Sequence, residues 1–271
     1  MTFCPIILAM SNFFPILGNF LLIQERYMQV NTFPIILDDT RMLSPRVKHF
    51  VFRSTLDPVF NYLPGQFITV HFERDEKTIR RSYSIANMPS QDNRIEFAAG
   101  FVEGGPGTDY LFNLKPGDQI YINGPFGRLI FKDETPGRYI LVATSTGITP
   151  YRAMIPELTR RLNAHPDLEI VILFGVQKSE DILYHEELLA FAALSPRISL
   201  RVHLSKEPAS NLLEHQFEGY VQHSFPALNL NPAQDVVYLC GNPGMIDDAF
   251  NDLKERGFAM QQVIREKYIS R

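Results

Sequence analysis

The sequence predicts two domains in series, an antiparallel β-barrel followed by an α/β domain built on a parallel sheet. Three observations lead there. At 271 residues the chain exceeds what one core commonly serves, so two cores are expected. From residue 34 to about 130, short β-type runs alternate with Pro and Gly punctuation at hairpin spacing. Beyond the segment 132–137 the rhythm changes to strands alternating with helices, the pattern of a parallel sheet covered on both faces. The chain is therefore divided into an apolar extension at 1–33, a barrel domain at 34–134 and an α/β domain at 135–271.

In the first half the candidate strands are 35–37, 47–52, 67–72, 82–85, 95–99 and 119–122. Between them lie Pro64-Gly65, Asn87-Met88-Pro89, Gly104-Gly105-Pro106-Gly107 and Pro116-Gly117-Asp118, all residues that fix φ or accept a positive one. The second half reads as strands at 139–143, 170–174, 198–204 and 236–239, with helices at 150–162, 181–193 and 243–256. No internal repeat or low-complexity tract is present.

Composition narrows the function classes. Hydrophobic residues make up 45% and charged residues 21%, which argues against wholesale disorder and against a polytopic membrane protein. With 26 Lys+Arg against 30 Asp+Glu, the formal charge of -4 gives no global positive field to hold nucleic-acid phosphates. The two cysteines, Cys4 and Cys240, are too few to ligate an iron–sulfur cluster or a four-Cys zinc site, and no metal site is expected. One stretch stands apart. Residues 6–23 are almost wholly apolar, near the shortest length of a spanning helix, but Pro15, Gly18 and two Asn residues interrupt them. No basic n-region or small-residue cleavage site accompanies the stretch. An upstream-start extension or dispensable leader is expected, with Met28 as the functional start; a membrane anchor and a docked segment are the other readings. The protein is expected in the cytoplasm.

Four motifs carry chemistry. On a strand, alternation sends Arg81 and Tyr83 to one face and Ser82 and Ser84 to the other. An Arg beside an aromatic ring suits a ligand with a phosphate at one end and a flat ring at the other. Next, Gly105-Pro106-Gly107-Thr108 reads as a glycine turn opening a short helix, whose backbone N–H groups favour an anion. Thr146-Gly147-Ile148-Thr149-Pro150 joins a buried strand to a helix, and there too close backbone approach and the helix dipole favour a pyrophosphate, although the segment lacks the G-x-G-x-x-G pattern. Finally Cys240-Gly241-Asn242-Pro243-Gly244-Met245 is a second strand-to-helix turn. It places Cys240 at the carboxyl edge of the sheet, where open α/β sheets bind ligands.

In this order the motifs resemble the ferredoxin–NADP reductase family of flavoproteins, over residues 34–271. The resemblance implies FAD as cofactor, with Arg81 at its pyrophosphate, Tyr83 stacked on the isoalloxazine, Ser84 near flavin N5, and Gly105, Gly107 and Thr108 in a pyrophosphate turn. It further implies NADP(H) as substrate, with Thr146, Gly147 and Pro150 at its pyrophosphate and Cys240, Gly241 and Met245 at the nicotinamide edge. Leu204-Ser205-Lys206-Glu207 and Gly219-Tyr220-Val221-Gln222 are similar to the family's 2′-phosphate and adenine segments. On that likeness Ser205, Lys206, Tyr220 and Gln222 favour NADP over NAD, although lysine offers a point charge in place of an arginine fork. Glu266-Lys267-Tyr268 is similar to the plant-type ending, whose aromatic covers the second flavin face and moves aside for nicotinamide. Departures are the tail 269–271, Ser145 in place of the usual Gly, and Gly100 where plant enzymes offer a Lys.

The implied activity is hydride transfer between NADP(H) and bound FAD, with Ser84, Cys240, Glu266 and Tyr268 as the active-site set. Single electrons would pass to or from a separate ferredoxin or flavodoxin, since this chain cannot ligate a cluster of its own. The alternatives are an NAD(P)H:flavin reductase, the reductase component of an oxygenase, and a non-enzymatic docking module on the same fold. Two basic segments, 41–53 and 254–271, are expected to steer an acidic carrier.

Overall fold

The computed structural model describes residues 31–56 and 59–268; the apolar stretch 6–23, Met28 and the tail 269–271 lie outside them. Six antiparallel strands form the first sheet: β1 (Phe33–Ser44), β2 (Val47–Ser54), β3 (Phe67–Arg74), β4 (Lys77–Ser84), β5 (Arg94–Gly100) and β6 (Gln119–Phe126). Their order is β4-β3-β6-β1-β2-β5. The two edges meet just past β4, where Ile85 bridges Phe97 and the Ala86 amide donates to the Glu96 carbonyl at 2.7 Å, so the sheet closes on itself. Alternation along the strands fills the interior with Phe50, Phe52, Ile68, Val70, Phe97, Ile120 and Ile122, each fully buried. A short helix, α1 (Pro106–Phe112), plugs one end with Leu111.

The second sheet is wholly parallel, in the order β10-β9-β8-β7-β11-β12. Its strands are β7 (Arg138–Thr144), β8 (Glu169–Val176), β9 (Ile198–Leu204), β10 (Gln216–Glu218), β11 (Asp235–Gly241) and β12 (Val263–Lys267). The inner strands β7 and β8 read as near-continuous apolar runs because helices cover both faces. On one face α2 (Thr149–Ala164) packs Tyr151, Met154, Leu158 and Leu162, joined by α3 (His185–Ala192); on the other α4 (Pro243–Glu255) packs Ile246, Ala249 and Leu253. Chain order runs outward from β7 in one direction and from β11 in the other. The point where it reverses lies between β7 and β11, the place where open α/β sheets leave a crevice at their carboxyl ends.

Both architectures match the sequence expectation, and the differences have local causes. Strand β1 runs to Ser44 where only 35–37 is legible, because register shifts at Leu37/Asp39 and Met42/Ser44 break the alternation. The helix expected at 181–193 begins only at His185; Tyr184 before it takes φ 53, in the left-handed region, and ends the preceding turn. Strand β6 runs on through Asn123 to Phe126, beyond the expected end at 122. Strands β10 and β12 are not visible in the sequence at all. Among the described residues no helix is long and apolar enough to cross a membrane.

Candidate functional site

The first half of the site is a face of β4. Register places Arg81 opposite Val70 and Tyr83 opposite Ile68, so both side chains leave the strand on the same side, and the start of α1 settles against them. A Cβ on Gly107 would stand 3.0 Å from Arg81 Cγ and 3.1 Å from Tyr83 Oη, so only glycine lets the helix approach this closely. One face of Tyr83 stacks on Phe97, with centroids 4.9 Å apart, while the residue stays partly exposed. Burial pushes its phenol up to about 12 against the opposing pull of Arg81. Thr108 is buried and accepts from the Val102 amide at 3.1 Å, and the Gly105 amide donates to the Val102 carbonyl, so the loop is folded tightly onto the helix start. A cation, a part-exposed aromatic ring and the start of a short helix therefore stand together, which fits a pyrophosphate joined to a flat ring system.

The opposite face of the same strand carries Ser84, and here the two domains meet. Pairing of β11 with β12 sets Cys240 beside Glu266 and Gly241 beside Lys267; the Tyr268 amide then donates to the Gly241 carbonyl at 2.9 Å. From that position Tyr268 Oη donates to Ser84 Oγ at 2.6 Å, and Ser84 Oγ donates to Glu266 Oε1 at 2.9 Å. Burial drives the Glu266 carboxyl up to about 7, with the Ser84 hydrogen bond pulling the other way. The Cys240 thiol is fully buried and held well above its ordinary range, first by burial and then by the neighbouring Glu266 charge. Both effects favour the protonated thiol. Gly127, at φ +99, leaves room for the other Glu266 oxygen: a Cβ there would lie 3.0 Å from Oε2.

Two glycines make this crevice. A Cβ on Gly147 would fall 2.3 Å from the Cys240 carbonyl oxygen, so the turns after β7 and β11 touch backbone to backbone. Gly241 adopts φ +121 against Thr144, whose hydroxyl accepts from the Asn242 amide at 2.9 Å. Asn242 in turn caps α4, accepting from the amides of Gly244 and Met245. Ser145 sits at φ 49, a conformation that favours glycine and is merely tolerated by serine. Thr146 is partly exposed at this edge, and Pro150 lies buried in the first turn of α2.

The third group lies along the sheet at the carboxyl end of β9. Ser205 and Lys206 form a turn held to β8 by amide bonds to Val176 and Gln177, and Lys206 Nζ donates to Gln177 Oε1 at 3.0 Å. The Gly219 amide donates to the Leu204 carbonyl at 3.1 Å, which brings Tyr220 and Gln222 alongside. Tyr220 is 60% exposed, and the buried Gln222 Oε1 has no hydrogen-bond partner. An open aromatic face, a flexible cation and an unsatisfied acceptor suit a nucleotide base and its phosphate.

The sequence-derived positions fall in three groups: Arg81, Tyr83, Gly105, Gly107 and Thr108 on β4 and at the start of α1, Ser84 with Cys240, Glu266 and Tyr268 where the domains meet, and the remainder at the end of β11 or in the segments that follow β7, β9, β10 and β11. Several cations of the two expected basic segments have acidic partners, whereas Arg46 donates to the neutral Phe101 carbonyl and Arg265 lies over the Phe250 ring. Arg53 pairs with Asp38, Arg41 with Glu187, and Lys48 lies over the rings of Phe50 and Phe112 while donating to the Phe112 carbonyl. Within 254–271, Arg256 pairs with Asp252 and Lys267 with Asp247. Sequence reading passed over Thr144, Asn242 and Arg152. Thr144 stands beside a quoted motif and Asn242 within one, where it is readable as a cap residue, whereas the partners of Arg152 are remote in sequence.

Comparison with known proteins agrees with this geometry. Residues 34–131 match the family model described as oxidoreductase FAD-binding domain, and residues 141–250 match oxidoreductase NAD-binding domain. Ferredoxin–NADP reductase B of Sorangium cellulosum is 34% identical over 226 residues, covering 81% of this chain and 90% of that one. The phenol 2-monooxygenase reductase component of a Pseudomonas strain is 29% identical, over 83% of this chain and 62% of its own length. A ferredoxin–NADP reductase structure from Neisseria gonorrhoeae, with FAD and NADP bound, superposes with a TM-score of 0.76 at 19% identity, covering 88% of this chain and 99% of that one. Two matched cofactor domains in series and a relative of this identity over nearly its whole length show that the chain belongs to the ferredoxin–NADP reductase family of FAD-dependent oxidoreductases.

Proposed function

We propose that this chain moves hydride between NADP(H) and bound FAD in the crevice lined by Ser84, Cys240, Glu266 and Tyr268, and exchanges single electrons with a separate ferredoxin or flavodoxin. The observation that supports it most directly is the Tyr268–Ser84–Glu266 chain of hydrogen bonds, which joins the carboxyl edge of the parallel sheet to the strand carrying Arg81 and Tyr83. When bound, the flavin supplies the step from two-electron to one-electron chemistry. The protein supplies binding and orientation: Arg81, Gly105, Gly107 and Thr108 at the FAD pyrophosphate, and Tyr83 and Tyr268 against the ring. Thr146, Gly147, Pro150, Gly241 and Met245 would seat the NADP pyrophosphate and nicotinamide, with Ser205, Lys206, Tyr220 and Gln222 at the adenosine end. Glu266, near 7, holds or gives up a proton beside Ser84 at neutral pH. We place the division between domains near residue 135 and the protein in the cytoplasm.

The cysteine count supports a separate carrier, since Cys4 and Cys240 are too few to ligate a cluster. Several relatives of this chain are reductase components of oxygenases, of which it spans about 60% of the length, and that favours a second reading in which the acceptor is an oxygenase system. The test is cytochrome reduction by the purified protein with NADPH and with NADH, with and without added ferredoxin. Bound FAD, a preference for NADPH and stimulation by ferredoxin are expected. Protein that purifies without flavin and reduces free flavin instead would refute the proposal.

A further inference from the structure

Among the polar contacts between the two domains, two clusters act as latches. One is the Ser84 cluster, and on the reading above it occupies the place the nicotinamide must enter, so it opens in every turnover. The other lies outside that place and centres on Arg152, in the first turn of α2 and two residues beyond Pro150.

Arg152 Nη1 donates to the Ala86 carbonyl at 2.9 Å and to Glu96 Oε2 at 2.7 Å, both on the barrel, while its Nε donates to Glu187 Oε2 at 2.6 Å on the α/β side. The guanidinium lies 4.9 Å from the ring centroid of Tyr184, whose hydroxyl is 3.0 Å from His49 Nδ1. His49 Nε2 is 3.2 Å from Glu96 Oε2 and closes the ring of contacts. The Arg152 side chain is 18% exposed and that of Glu96 11%, so the pair is shielded from water and held by geometry rather than by a screened surface attraction. Ala86 lies two residues beyond Ser84, the last residue of the flavin strand, and Gly147 is five residues before Arg152 on the turn that meets Cys240. One guanidinium thus ties the end of the flavin strand to the helix that carries the nicotinamide turn.

We propose that Arg152 is a positioning residue for hydride transfer: with Glu96 and Ala86 it fixes the distance between the flavin strand and the turn 145–150 while the Tyr268 latch is open. The inference rests on the hydride-transfer reading given above. Reacting atoms must come within about 3 to 3.5 Å, and a displacement of about 1 Å costs on the order of a hundredfold in rate. A residue that sets this distance without touching either ring changes the rate at saturation and leaves binding nearly intact.

The test uses the full-length flavin-loaded protein and three variants, R152A, R152K and E96Q. The probes are NADP+ titration of the flavin spectrum and rapid-mixing reduction by NADPH. For R152A we expect full flavin content, an NADP+ dissociation constant within threefold of the parent, a limiting reduction rate down at least tenfold, and a weaker long-wavelength nicotinamide–flavin charge-transfer band. R152K keeps the charge but loses the fork and is expected to recover only part of the rate; E96Q is expected to lose threefold or more. If R152A purifies unfolded or without flavin, the two conservative variants decide by the same pattern. A parental limiting rate and charge-transfer band in the variants, or a rate loss that saturating NADPH abolishes, overturns the inference. Parent protein that neither NADPH nor NADH reduces would overturn the hydride-transfer reading itself, and this inference with it.

Discussion

Tyr268 gives its hydroxyl hydrogen to Ser84 Oγ at 2.6 Å across the domain boundary, so the aromatic ring is fastened over the strand that the proposed flavin would lie against. Nicotinamide and this ring then compete for one place. Replacing Tyr268 by Ser removes the ring and leaves Ser84 bonded to Glu266. NADP+ should bind at least tenfold more tightly, a gain of about 1.4 kcal/mol, since binding no longer displaces a packed side chain. Titration of the flavin spectrum with NADP+ measures this, and an unchanged dissociation constant refutes the competition.

Glu266 predicts a pH dependence of stability. Its carboxyl moves from an ordinary 4.5 to about 7 because burial penalises the charge. Between those values the folded protein holds a proton that the unfolded chain releases, so this group's contribution to stability is fully present below 4.5 and falls as pH rises to 7. The total loss is at most about 3.5 kcal/mol, from roughly 1.4 kcal/mol per pKa unit. Glutamine stays neutral and escapes the loss. E266Q should therefore gain on the parent between pH 5 and pH 8, read as a rise in relative melting temperature; a stability difference that is the same at both values sinks the assignment.

Gly107 offers a steric test of the flavin cradle. Alanine is compatible with its helical backbone, but the added methyl would press on Arg81 Cγ and Tyr83 Oη at about 3 Å. Both side chains must give by a few tenths of an ångström, which spoils a bidentate phosphate contact more than it harms the fold. G107A should weaken FAD binding by about tenfold, or 1.4 kcal/mol, with the melting temperature of the flavin-free protein little changed. Parental FAD affinity would show that the helix start does not contact the cofactor.

Much of this site was legible because its chemistry is local. The strand Arg81 to Ser84, the glycine turn at 105–107 and the two strand-to-helix turns each declare their geometry within a few residues, through alternation, positive φ or helix capping. The two domains were legible for the same reason, since the change from hairpin spacing to strand–helix alternation is a property of short windows. What escaped depends on contacts distant in sequence. Strand β12 has little apolar character and exists because Val263 to Lys267 pair with the edge of β11. Burial in the fold raises the Glu266 carboxyl, and the serine whose hydrogen bond opposes that shift lies 182 positions away. Arg53 and Arg41 look free within 41–53 because Asp38 lies just outside that window and Glu187 in the other domain. Arg152 reads as an ordinary helix-surface residue until the fold brings Ala86 and Glu96 to it.

Lys206 tests the choice of nicotinamide cofactor. Its ammonium rests on Gln177 Oε1 at 3.0 Å, a neutral partner that it can leave without breaking an ion pair. It stands in one turn with Ser205, beside the exposed ring of Tyr220, so a 2′-phosphate seated there would gain a charge-assisted bond that NADH cannot make. Such a bond contributes about 1.5 to 3 kcal/mol, and exposure to solvent favours the lower end. K206A should lower the ratio of kcat/KM for NADPH over NADH by about tenfold, mostly through KM for NADPH, with the NADH values little changed. K206R should hold or raise the ratio, because a guanidinium fork grips phosphate in two places where lysine offers a point charge. Steady-state kinetics with both cofactors on the three proteins decides it. A ratio that stays constant across them would remove Lys206 from the phosphate site and leave the cofactor preference to Ser205 and Tyr220.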